Sequence, residues 1–233
     1  MSLQSMRIAA VCGIIFTILA AIGGVVLAPI PPMESSAPGV IAAYYANHRT
    51  GLLVQGYVFG IAWIGFLVFL AGLRDVLDRA RIWATLALAG GVTWLALNFV
   101  SQATISGLTD RVAGHFATGS TIVAMHDQIV MYFSYSFFAL AACLIGAATG
   151  GQVAGVLSRW LCWAGYAVAA VAIVTTLGII WTDNSVLFTL ASVDFVLFVL
   201  WVLAASISML RMRTVHDEVV GLKRQEVGAG MGI

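Results

Sequence analysis

One carboxylate stands where a carboxylate is costly. Asp194 lies inside TLASVDFVLFVLWVL, residues 189–203, with apolar side chains running away from it in both directions. Ionised and unpaired at the middle of a lipid bilayer it would cost about 3 kcal/mol or more, so something must offset it. That something is a proton, a hydrogen-bonding partner or a cation. The positions on its own helix face, Leu187, Leu190, Ala191, Phe198 and Trp201, are apolar, so its own segment cannot supply the partner. No Lys or Arg stands at a comparable depth in any other apolar segment. Neutral polar residues do. Asn98, Ser101 and Gln102 fall at i, i+3 and i+4 and make one stripe of a helix. Gln55 and the triplet His126-Asp127-Gln128 lie within a turn or two of the ends of their own segments. Trp94, one turn before Asn98, can wall such a site and present a π-face to a cation or a ring.

Three kinds of chemistry fit these residues. A deep acid among neutral amides, with no basic counter-ion, suits the binding or transport of a small amphipathic or cationic molecule, with proton exchange. The expected ligand-binding set is Asp194, His126, Asp127, Asn98, Gln102, Gln55 and Trp94. As the first alternative, Asp194 with His126 or Asp127 forms an acid/base pair in a membrane-embedded enzyme, since differently desolvated carboxyl groups can divide those roles. As the second, the chain is an accessory subunit of a larger membrane complex, and Asp194 meets a partner helix. His126, Asp127 and Asp194 lack the regular spacing of a metal site, and no metal or other cofactor is expected. Walker A, G-x-S-x-G and H-E-x-x-H patterns are absent from the sequence.

The elements that must position these residues are helices. The 233 residues are 61% hydrophobic and only 9% charged, and the mean hydropathy is +1.02. A soluble domain carries about 25% charged residues, so this chain lacks the polar surface to coat a globule in water. Six segments are long and apolar enough to span, near 7–30, 51–73, 82–105, 121–148, 160–181 and 186–210. The predicted fold is an all-α integral membrane protein, a six-transmembrane-helix bundle over 1–213, with a cytoplasmic tail at 214–233. A short amphipathic interfacial helix is predicted in the first outer loop, with Ser36 as N-cap, Pro38 in the first turn, and Val40, Ile41, Tyr44 and Tyr45 on one face. Thr109 is a candidate cap in the second outer loop. TDNS at 182–185 is a tight turn that makes the last two segments antiparallel neighbours.

Charge sets the orientation. Arg7, Arg74, Arg79, Arg81, Arg159, Arg211, Arg213, Lys223 and Arg224 fall on one side of the segments, and only Arg49 and Arg111 on the other. By the positive-inside rule both termini are cytoplasmic, in a plasma (inner) membrane protein that crosses it several times. On that topology the polar residues above gather in the outer half, and Asp194 lies about 12 Å below the outer end of its segment. Gly23-Gly24, Gly56-x-x-x-Gly60 and Gly90-Gly91 predict close helix approach. The expected partners are membrane lipid and a small molecule in the outer-leaflet pocket, with a second copy or a partner membrane subunit as further candidates. The net charge of +1, and basic residues that do not cluster with aromatics, speak against nucleic acid.

Overall fold

The structure, a computed structural model, describes residues 3–27, 31–113, 118–181 and 184–230. Seven α-helices follow one another: α1 (Leu3–Ala21), α2 (Pro38–Asn47), α3 (Arg49–Val76), α4 (Arg81–Ala113), α5 (Gly119–Ala154), α6 (Arg159–Thr175) and α7 (Ser185–Gly230). A π-helical turn, Ile22–Val26, extends α1, and 3₁₀ turns at Asp78–Ala80 and Thr176–Ile179 adjoin α4 and α6. There is no strand among the described residues. Six segments are long and apolar enough to cross a membrane: Gln4–Gly24, Arg49–Val76, Asp78–Val112, Gly119–Ala154, Arg159–Ile179 and Ser185–Arg211. Each overlaps one of the six predicted from sequence. The predicted end of the first at 28–30, part of the second outer loop (114–117) and half of the 182–185 turn lie outside the described residues.

The six long helices form a closed ring. α1 packs on α3, α3 on α4, α4 on α5, α5 on α6, α6 on α7, and α7 returns to α1. Short connections force successive helices to run antiparallel, so the bundle has two ends. At one, the terminal face, lie the start of α1 and the α3–α4 and α5–α6 turns. At the other, the α2 face, α2 sits across the ends of α3, α4 and α5.

Glycines set the closest crossing, though only some of the predicted ones. A Cβ on Gly90 of α4 would lie 2.5 Å from the Cys143 nitrogen of α5, and one on Gly146 of α5 the same distance from the Ala87 nitrogen of α4. The two helices therefore meet backbone to backbone, which is how apolar helices gain packing where lipid removes the hydrophobic drive. The Gly56-x-x-x-Gly60 pair makes no such crossing. Gly56 gives room to the Gln102 side chain, and Gly60 faces open space. One glycine is required by its dihedral. Gly155, at φ 68°, turns the chain out of α5 and returns its N–H to the carbonyls of Gln152 and Gly151.

Two predicted caps are corrected. Ala37, not Ser36, is the residue before α2, without a side-chain cap, and Pro38 takes the first helical position. The Ser36 N–H is used instead in a turn to the Met33 carbonyl. Thr109 caps nothing, because α4 runs on to Ala113 and buries it. The cap of α5 is Thr118, whose hydroxyl accepts from the Thr121 N–H at 3.4 Å. Rather than lying flat with one apolar face in lipid, α2 inserts Ile41 and Tyr45 into a cluster with Leu52, Leu108, Val112, Ile122 and Ile129, and leaves Val40 exposed.

Gly90→Leu or Gly146→Leu is expected to destabilise the bundle by about 1–3 kcal/mol or more, since backbone cannot move aside as a side chain can. Gly60→Leu is expected to leave it unchanged. Thermal unfolding of the three variants in one detergent measures the contrast.

Candidate functional site

Four aromatic side chains plug the middle of the ring. Phe16 of α1, Phe66 of α3, Trp94 of α4 and Phe198 of α7 are all buried. Their ring centroids are 4.8 Å apart for Phe16–Phe66, 5.5 Å for Phe66–Trp94, 5.1 Å for Trp94–Phe198 and 6.0 Å for Phe16–Phe198. These contacts pin four helices to a common level. One helical turn toward the α2 face, each helix then shows a much smaller side chain: Ala20, Ala62, Asn98 and Asp194. All four are buried, Asp194 completely and Asn98 at 9% exposure. A layer of large rings is thus followed, about 6 Å on, by a layer of small and polar groups. The antiparallel order makes this arithmetic work, because one turn outward is i+4 on α1 and α4 and i−4 on α3 and α7.

Asp194 receives no help from the protein. Both of its carboxyl oxygens are buried and neither has a hydrogen-bond partner. Each neutral residue expected to serve it is committed elsewhere or stops short. Asn98 donates its Nδ2 to the Trp94 carbonyl of its own helix at 2.8 Å. Gln55, half-buried, donates to the Gly23 carbonyl at 2.9 Å, where the π-helical turn breaks the regular ladder of α1. Gln102, 9% exposed, packs over Gly56, and its Nε2 is buried without an acceptor. Ser101 donates to the Ile129 carbonyl across the α4–α5 seam at 3.4 Å. Trp94 belongs to the floor of the polar layer rather than to its side wall.

His126 has a different employment. It is 1% exposed, on α5. Its Nε2 lies 3.2 Å from the Pro32 carbonyl, which can only accept, so Nε2 carries the proton. Its Nδ1 then accepts from the Tyr45 hydroxyl at 2.9 Å. The imidazole therefore clamps α2 and the chain leaving α1 to α5. In α2, burial pushes the Tyr44 phenol up to about 12. Burial first, and the neighbouring Tyr44 second, raise Tyr45 further, which keeps its hydroxyl a donor. Asp127 beside His126 is half-buried, with Oδ1 unpartnered. In the ring α5 borders α4 and α6, whereas Asp194 is on α7. The structure brings Asp194, Asn98, Gln102 and Trp94 to one side of the bundle interior, and it holds His126 with Asp127 in the α2 clamp.

Sequence reading missed Tyr45 as the partner of His126, 81 residues away, and the plug residues Phe16, Phe66 and Phe198. A spacing of four between a ring and a small or polar side chain is present in each of the four segments. Only the helix registers in space give it meaning.

Comparison with known proteins gives no match: no family model fits the chain, and no curated protein and no solved structure is similar to it.

Two outcomes follow from the geometry. Asp194→Leu is expected to stabilise the protein stripped of small molecules by about 1–3 kcal/mol, because it removes a buried group with unmet hydrogen bonds. A fall in the unfolding midpoint would mean that the bundle itself satisfies the carboxyl. Tyr45→Phe should leave the His126 Nδ1 unpaired and loosen α2, read as faster amide hydrogen exchange over Pro38–Asn47 with α6 unchanged.

Proposed function

We propose that this chain is a multi-pass protein of the plasma (inner) membrane that binds or transports a small cationic or amphipathic molecule at Asp194, linked to proton exchange. The observation that carries the reading is the pair of Asp194 oxygens, enclosed by the bundle and left without a partner. Buried polar groups in folded proteins are satisfied with few exceptions, and the exceptions mark function or a missing ligand. An acid within an apolar span is by default a functional site. The layered interior supports the same conclusion. An aromatic floor separates the polar layer from the terminal face, and the docked α2 with its cluster covers the α3–α5 side of the opposite end. A site closed at both ends suits alternating exposure better than an open channel.

The alternatives have less support. An acid/base enzyme needs a second group within reach of a common substrate, and both nitrogens of His126 are engaged in the clamp. An accessory subunit that offers Asp194 to a partner helix would carry it on the lipid-facing side, whereas Asp194 is completely buried. For orientation, the Lys and Arg distribution puts both termini in the cytoplasm. Of the two arginines toward the α2 face, Arg49 is paired with Asp110 at 3.1 Å.

The test is mass spectrometry of the protein extracted in its native lipids, wild type beside Asp194→Asn. A small molecule retained by the wild type and lost from the variant is the expected result. Identical spectra, or a stoichiometric protein partner lost from the variant, would overturn it.

A further inference from the structure

Resting on the reading of Asp194 as a cation site, we infer that its occupant is a small organic ammonium carrying an oxygen acceptor about two carbons from the nitrogen. Three features of the chamber select this class. The first is a matched pair of unmet valences. Asp194 on α7 offers two buried acceptor oxygens, and Gln102 on α4 offers a buried N–H donor, with no protein partner for either. The Trp94–Phe198 contact fixes the registers of the two helices. Asp194 is one turn beyond Phe198, and Gln102 two turns beyond Trp94, so their Cα levels differ by one turn, about 6 Å. Side chains tilt toward the N-terminus of their helix. On α4 that direction leads from Gln102 toward Asp194, and on the antiparallel α7 it leads from Asp194 toward Gln102. The gap between them fits one molecule that donates at one end and accepts at the other.

The second feature is the chemistry of the walls. The floor is the aromatic plug, and on the α1–α3 side Phe59 stacks on Trp63 at 5.6 Å and meets Phe195 edge-on at 6.3 Å. Aromatic faces with one carboxylate and no basic side chain favour an organic cation. A divalent metal ion asks for about six oxygen ligands. The layer supplies the two oxygens of Asp194 and the amide oxygen of Asn98, and no group of three His, Cys, Asp or Glu stands together among the described residues. The third feature is size. Ala20 and Ala62, level with Asp194 on α1 and α3, keep the chamber from being filled by larger side chains.

The experiment follows the unfolding midpoint of the full chain in detergent with ethanolamine, its isostere propylamine, and sodium chloride, each in wild type, Asp194→Asn and Gln102→Leu. Ethanolamine is expected to stabilise the wild type and not Asp194→Asn. Propylamine, which leaves the Gln102 donor unpaired, is expected to need about tenfold higher concentration for the same shift. Gln102→Leu should abolish that difference between the two amines without abolishing the response. Repeating the series in phosphatidylglycerol vesicles with and without phosphatidylethanolamine separates a free amine from a lipid headgroup. If free ethanolamine acts without the lipid, the ligand is soluble, and if only the lipid acts, it is the headgroup. Equal midpoints for both amines in the wild type would overturn the acceptor requirement. A pH-dependent midpoint tied to Asp194, with no response to any amine, would overturn the ammonium while leaving Asp194 as a proton site. Loss of every Asp194-dependent response would remove the cation reading itself.

Discussion

The contact between Trp94 and Phe198 decides where everything else in this bundle lies. Neighbouring helices in a ring touch along seams, and seams between apolar helices slide with little penalty. A ring-to-ring contact across the interior, braced by Phe16 and Phe66, ties α1, α3, α4 and α7 to a single register. Once that register is set, the position one turn away on each helix is set too. Two of those positions are alanine, and the other two are Asn98 and Asp194. The plug therefore both closes the bundle toward the terminal face and defines the chamber beyond it.

Stability and function pull against each other in that chamber. A leucine at position 194 would fit the composition of α7 and would relieve the unmet hydrogen bonds of two buried oxygens. The glycine crossing of α4 and α5, the Trp201 indole donating to the Leu161 carbonyl at 3.0 Å, and the Tyr45–His126–Pro32 clamp supply well-satisfied packing elsewhere. Against that background the carboxyl of Asp194 stands out as a group kept for what it binds. Catalytic and binding sites are where local rules of packing are broken and offset by the rest of the fold.

Much of this was legible in the sequence. Apolar length alone gave the six segments, because nothing else in the composition can satisfy a backbone in lipid. The stripe of Asn98, Ser101 and Gln102 followed from helical spacing, and Asp194 from the cost of its surroundings. Trp94 was rightly tied to Asn98 by its spacing of four. What failed had a common cause, that partners were sought near in sequence. Ser36 and Thr109 looked like caps from local pattern, yet tertiary docking of α2 and the extension of α4 decided both. Gln55 and His126 looked available to Asp194 by depth, but a π-helical turn gave Gln55 a free carbonyl, and Tyr45 gave His126 a hydroxyl. Gly56 and Gly60 looked alike, and only the placement of Gln102 tells them apart. Depth is readable from a membrane sequence, whereas azimuth around the bundle is not.

The central claim is that the bundle leaves the Asp194 carboxyl for something outside the chain to satisfy. Infrared difference spectroscopy tests it directly, with the carboxyl band isolated by subtracting Asp194→Asn. The band is compared in protein purified in native lipids and again after exhaustive dialysis, then on adding ethanolamine. The account predicts that the band moves when small molecules are removed and moves back when the amine returns. A band that stays in place through all three steps would show that protein groups satisfy the carboxyl, and Asp194 would then be part of the scaffold.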